Sequence, residues 1–151
     1  MMEVVDVHGR RPGQDPDLVY VGRTNRGRGW YSRGWHNSYS HLDKSHAPFQ
    51  VRDLQEALLN YRREMIALLA GQTEVTITQW GRPGKVFLFR TREELFTEFG
   101  RWTEKAKLGC WCLNRLEEDI NPNHYQCHAE ILVKIYRQWQ KGVFGHVDQK
   151  P

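Results

Sequence analysis

This 151-residue chain has no apolar run approaching the ~20 residues that a membrane-spanning helix needs. Its first 17 residues, MMEVVDVHGRRPGQDPD, hold acids and no apolar stretch, so no secretory signal is expected. Cysteine is scarce and odd in number, with 3 in all, which excludes a disulfide framework and favours reduced thiols in a cytoplasmic setting. The phosphate-loop signatures are missing: there is no Gly-Lys-Ser/Thr and no GxGxxG ahead of a helix. There is no internal repeat and no low-complexity segment. Charge of one sign is not in large excess, since 22 Lys and Arg face 18 Asp and Glu for a net +4. A broadly basic nucleic-acid surface is not expected from so small an excess. What is present is an ordinary globular balance, 39% hydrophobic and 26% charged, at a length that suits one domain.

The order of elements points to an α/β fold. Residues 1–17 are polar and turn-rich and read as a flexible leader. Leu18-Val19-Tyr20-Val21 is short and uniformly apolar, as in a strand covered on both faces. Residues 22–49 show neither a 2 nor a 3.6 period and read as a long loop, of a length usually tied to function. Over 51–70, Leu54, Leu58, Tyr61, Met65, Leu68 and Leu69 recur at helical steps, with Gly71 as the stop. Residues 74–79 and 85–90 read as two strands of an inserted β-hairpin. Thr91 with Glu94 forms a capping-box signature for a helix over 92–104. Residues 108–112 read as a strand and 128–140 as the last helix, closed by Gly142. Helices interleaved with buried strands predict a single three-layer α/β domain over 18–142, with a small mixed sheet, the hairpin at its edge, and a tail over 143–151.

Two groups of residues can carry chemistry. The first is the loop Gly22-Arg23-Thr24-Asn25-Arg26-Gly27-Arg28-Gly29-Trp30-Tyr31-Ser32-Arg33-Gly34-Trp35-His36, which has four arginines and is followed by no acid until Asp43. Arginine forks bind phosphate and carboxylate in bidentate fashion, and Trp30, Tyr31 or Trp35 can stack on a base. The second group is Cys110-Trp111-Cys112 with Cys127-His128. On a strand, Cys110 and Cys112 share one face and Trp111 takes the other. Cys127 at a helix start is favoured as thiolate, and His128 can serve as its partner, as an acid/base or as a metal ligand. Cys110, Cys112, Cys127 and His128, or His124 in its place, make up an alternative Cys₃His zinc set. Its spacing is not the usual C-x₂₋₄-C knuckle, and adjacent ligands are expected to reach one tetrahedral ion only with strain. Buried thiols acting as small hydrophobes are the plain alternative.

Tyr20-Val21-Gly22-Arg23, Pro48-Phe49, Tyr61-Arg62, Leu108-Gly109-Cys110-Trp111-Cys112 and Cys127-His128-Ala129 with Leu132 together resemble domain of unknown function 4326. That is a family of small bacterial and phage proteins with the outline YVGR, GNPF, YR, LACWC and CHADVLL. The resemblance spans residues 19–136, and its most specific part is the CWC and CHA pair. This chain has His46-Ala47-Pro48-Phe49 where the family has GNPF, a longer stretch over 24–45, and an apparent insertion over 73–91. The resemblance implies a compact α/β fold that brings the Tyr20 strand end close to the CWC strand end. It implies no activity.

The residues favour a site that binds a nucleotide- or nucleobase-type anionic small molecule, with group transfer or hydrolysis as the chemistry to be expected of an enzyme there. Tyr20, Gly22, Arg23, Arg26, Arg28, Trp30 and Cys110 are the expected ligand contacts. Cys112 or Cys127 is the expected nucleophile and His128 the expected acid/base. Nucleic acid, or a protein partner docked on a structural Cys/His site that holds zinc, are the alternatives.

Overall fold

The structure, a computed structural model, describes residues 2–42, 47–111 and 127–144. Three short strands form the main sheet: β1 (Glu3–Asp6), β2 (Leu18–Tyr20) and β7 (Lys107–Cys110). Their order is β1-β7-β2 and both pairings are parallel. Alternation along the strands splits the side chains between two cores. Val19, Val21, Leu108 and Cys110 join the large core under the helices. Val7, Leu18 and Tyr20 point the other way, where Trp30 and Trp111 cover them. The uniformly apolar Leu18–Val21 run is therefore covered on both faces, as its composition predicts. The fold is α/β, but the layer on the second face is a loop bearing Trp30, with a single 3-10 turn at Arg26–Arg28 and no α-helix among the described residues.

The leader expectation fails for residues 3–6. They pair along their length with the central strand β7, and Met2 and Val7 are buried. Val4 and Val5 supply the apolar side chains that an edge position needs, within a run too short to stand out from its polar neighbours.

Three helices complete the core: α1 (Leu54–Leu69), α2 (Arg92–Phe99) and α3 (His128–Gln140). Asp53 caps α1, accepting the Glu56 N–H at 2.8 Å. At the other end Gly71, at φ 78, donates to Leu68 O, and Gln72 donates to Ala67 O. This paired closure needs a left-handed residue, which glycine supplies without a Cβ penalty. The Thr91–Glu94 capping box on α2 forms as its spacing predicts. That helix ends at Phe99 and not at 104, because the chain turns at Gly100, yet Trp102 stays buried against Phe99 and Tyr136.

Two smaller ladders were not legible or were placed elsewhere. Residues β3 (Tyr39–Ser40) and β4 (Phe49–Gln50) pair in parallel inside the stretch read as loop. The hairpin forms from β5 (Glu74–Gln79) and β6 (Arg82–Phe87). Its turn is Trp80–Gly81, with φ 53 and 77, the two-residue geometry that matches strand twist. The hairpin does not extend the main sheet. It docks on α1, where buried Asn60 bonds both the N–H and the carbonyl of Thr78, and Glu56 accepts the N–H groups of Trp80 and Gly81. Tyr39, Val51, Ala57 and Ile77 make a separate small core beneath it.

Candidate functional site

In open α/β sheets, ligand sites lie beyond the carboxyl ends of the strands. At that end of β2 and β7, three buried side chains converge: Cys110 closes β7, Cys127 caps α3 and His128 begins it. Their donor atoms all lie within 4.8 Å of one another. The two Sγ atoms are 2.6 Å apart, and both side chains are fully buried.

The Cys127 backbone is extended (φ −147, ψ 143), while His128 already belongs to the helix. That change of direction lets adjacent side chains point to one place. Cys127 Sγ lies 3.8 Å from His128 Nδ1, so these adjacent residues bring both donor atoms to one side. Cys127 Sγ also accepts the Ala129 N–H at 3.4 Å, and the Cys127 N–H donates to Glu130 Oε1 at 3.0 Å. Here Cys takes the place of Ser or Thr in a capping box, and the C-x-x-E spacing is the signal that could have revealed it.

His128 Nε2 lies 2.6 Å from Val21 O. A carbonyl oxygen only accepts, so Nε2 carries a proton, and Nδ1 faces Cys127. The Tyr61 ring packs edge-on against the imidazole at 4.9 Å. A metal-ligating histidine is commonly fixed in this way by a carbonyl on its second nitrogen. Cys110, Cys127 and His128 are thus the described residues able to hold a metal. Cys112, His124 and the acidic run Glu117–Asp119 lie outside the described residues.

Beside this cluster opens a cleft of about 1000 Å³, lined among others by Gly22, Arg23, Arg26, His36, Cys110 and His128. It unites the arginine loop with the Cys/His end of the sheet. Arg23 donates to Asn37 O at 2.7 Å, which fixes its guanidinium in the wall. Trp111 also lines the cleft, on the sheet face opposite Cys110, as the strand alternation predicts.

Several expected contacts fall elsewhere. Trp30 is 4% exposed and packs on the Tyr20 ring at 4.9 Å, so neither face is offered to a ligand. Tyr20 is buried too, its hydroxyl donating to Arg23 O and accepting from Trp111 Nε1. Its role is to position the loop. Arg28 is exposed and outside the cleft lining, and Arg33 pairs with buried Glu98 at 2.7 Å. Cys127 is fully buried and does not line the cleft, so its thiol is placed for capping and donor roles and not for attack on a cleft ligand.

His36, the last residue of the arginine loop quoted above, lines the same cleft. Burial, reinforced by the positive charges of Arg23 and Arg90, pushes its pKa down to about 4. Its Nδ1 lies 2.6 Å from Ser32 Oγ. Burial itself disfavours any charge there, and it is the Arg23 and Arg90 guanidiniums that favour an anion nearby.

No curated protein and no solved structure matches the chain. A family model described as "Domain of unknown function (DUF4326)" matches residues 7–138, which takes in the arginine loop, the sheet end and the Cys127-His128 helix start. The chain therefore belongs to the DUF4326 family.

Proposed function

We propose that this protein binds a nucleotide-type anionic small molecule in the strand-end cleft, within a reducing cytoplasm. The observation that carries the reading is the lining itself, where Arg23 and Arg26 share one concave wall with Cys110 and His128. A cleft of about 1000 Å³ has room for a nucleotide. Arg23 and Arg26 supply the charge for its phosphate, Trp111 and His36 supply rings for its base, and the carboxyl ends of parallel strands are where such sites are built.

The concavity favours a small molecule over a nucleic-acid strand. Net charge is only +4, and Arg33, one of the four loop arginines, is matched by Glu98. Of the other three, Arg23 and Arg26 line the cleft and Arg28 lies outside it, which gives a local anion site and not a broad basic face.

A thermal-shift panel tests the proposal, using the four common ribonucleoside monophosphates, their triphosphates and inorganic phosphate. At least one nucleotide should raise the melting temperature, with the rise lost in Arg23→Ala and Arg26→Ala, since ligand at about 100 Kd adds roughly 2.7 kcal/mol. A flat response across the panel would sink it.

A further inference from the structure

We infer that Cys110, Cys127 and His128 form a buried zinc site that ties the end of β7 to the start of α3. The inference does not depend on the identity of the cleft ligand. Three soft or borderline donors meet within 4.8 Å, drawn from a strand end and a helix start. Two thiolates with an imidazole select zinc over hard cations. The burial of all three, at 0%, 0% and 2% exposure, is costly for isolated charges, but two thiolates neutralise a divalent cation.

The surroundings are those of a ligand set. His128 donates Nε2–H to Val21 O, which leaves Nδ1 as the coordinating atom on the side of the sulfurs. Cys127 Sγ receives the Ala129 N–H at the positive end of α3, and both features stabilise a thiolate. Tetrahedral zinc holds Sγ at about 2.3 Å and imidazole nitrogen at about 2.0–2.1 Å, so the 3.8 Å between Cys127 Sγ and His128 Nδ1 suits a shared ion. The same geometry sets two thiolates about 3.8 Å apart, so loading separates the present 2.6 Å Sγ pair by about 1 Å, within reach of side-chain rotation. On binding, each thiol gives its proton to solvent and no electron is transferred. A fourth ligand comes from outside these three residues.

The experiment uses the full chain, purified without chelator. Elemental analysis should find about one zinc per chain, and cobalt exchange should give a thiolate-to-cobalt charge-transfer band with strong tetrahedral visible bands. Cys127→Ser should lose the charge-transfer intensity of one sulfur and His128→Ala should shift the visible bands. The wild-type readings stand even where a variant fails to fold. Zinc below about half an equivalent with no thiolate–cobalt band overturns the inference. Full stoichiometry and an unchanged band in folded Cys127→Ser overturn it equally, since the metal would then sit elsewhere.

Discussion

His128 Nε2 lies 2.6 Å from the carbonyl oxygen of Val21, a residue 107 positions away. This bond joins the start of α3 to the end of β2, and it sets which imidazole nitrogen faces the thiols. Val21 continues the ladder of β2, with its N–H bonded to Gly109 O at 2.9 Å, so its carbonyl is rigidly placed.

His128→Ala leaves that buried carbonyl without its imidazole donor and opens a cavity beside Tyr61. The expected loss is about 2–4 kcal/mol by chemical denaturation, combining an unmet acceptor with lost packing. A loss within about 0.5 kcal/mol, the range of ordinary surface changes, would show that the bond is incidental.

Glu56 governs the docking of the hairpin. Burial pushes its carboxyl upward, but the N–H groups of Arg52, Gly81 and Trp80, with the Arg52 charge, more than offset this and hold it below the usual range. A folded value below the unfolded one means that its stabilisation is present above the ordinary value of 4.5 and is lost as pH falls through the folded value. Glu56→Gln should cost about 1–3 kcal/mol near neutral pH and flatten the acid limb of the stability curve. An acid limb of wild-type steepness in the variant would remove Glu56 from this role.

Gly22 is required by proximity and not by its dihedral angles. A Cβ there would stand 2.6 Å from the Tyr20 hydroxyl. Gly22→Ala should displace the Tyr20 ring, break its bonds to Arg23 and Trp111, and cost about 1–3 kcal/mol. Tryptophan fluorescence reports the change through Trp111 and Trp30; unaltered emission and unaltered stability would refute the tight-packing account.

His36 supplies a pH signature. Its folded pKa near 4 lies below the ordinary 6.5, so both states are neutral above 6.5 and the unfolded chain takes up the proton first as pH falls. Stability should therefore decline between about 6.5 and 4, by at most about 3 kcal/mol from this group, and His36→Gln should remove that part of the decline. Phosphate in the cleft should raise the His36 pKa in an NMR titration. A pKa near 6.5 without ligand would contradict the buried, positive setting. The cations acting on it come from two segments: Arg23 on the loop and Arg90 before α2.

What was legible in the sequence was whatever is written locally. The stripe from Leu54 to Leu68 gave α1, the Thr91–Glu94 pair gave the start of α2, and the apolar face with Gly142 gave α3 with its bounds. The α/β class and the family followed from these and from the CWC and CHA motifs. The rest depends on distant partners. Two-residue ladders such as Tyr39–Ser40 with Phe49–Gln50 carry no periodic signal. The hairpin sits on α1 through the side chains of Asn60 and Glu56, and Arg33 is matched by Glu98 65 residues away. Trp30 looks like a stacking platform in a loop rich in Arg and Gly, and only the tertiary structure shows it sealing the second face of the sheet. For the site, the resemblance implied that the Tyr20 strand end lies close to the CWC strand end, as the β2–β7 pairing has it, whereas His36 has no spacing that marks it.

The account rests on the cleft as an anion site, and a calorimetric titration tests it most directly. The nucleotide giving the largest thermal shift is titrated into wild type and into Arg23→Ala and Arg26→Ala at two salt concentrations. The account predicts one site per chain, at least tenfold weaker in each variant, about 1.4 kcal/mol, and weaker at higher salt. Equal affinity in wild type and both variants, or no binding heat from a folded wild-type chain, would contradict it.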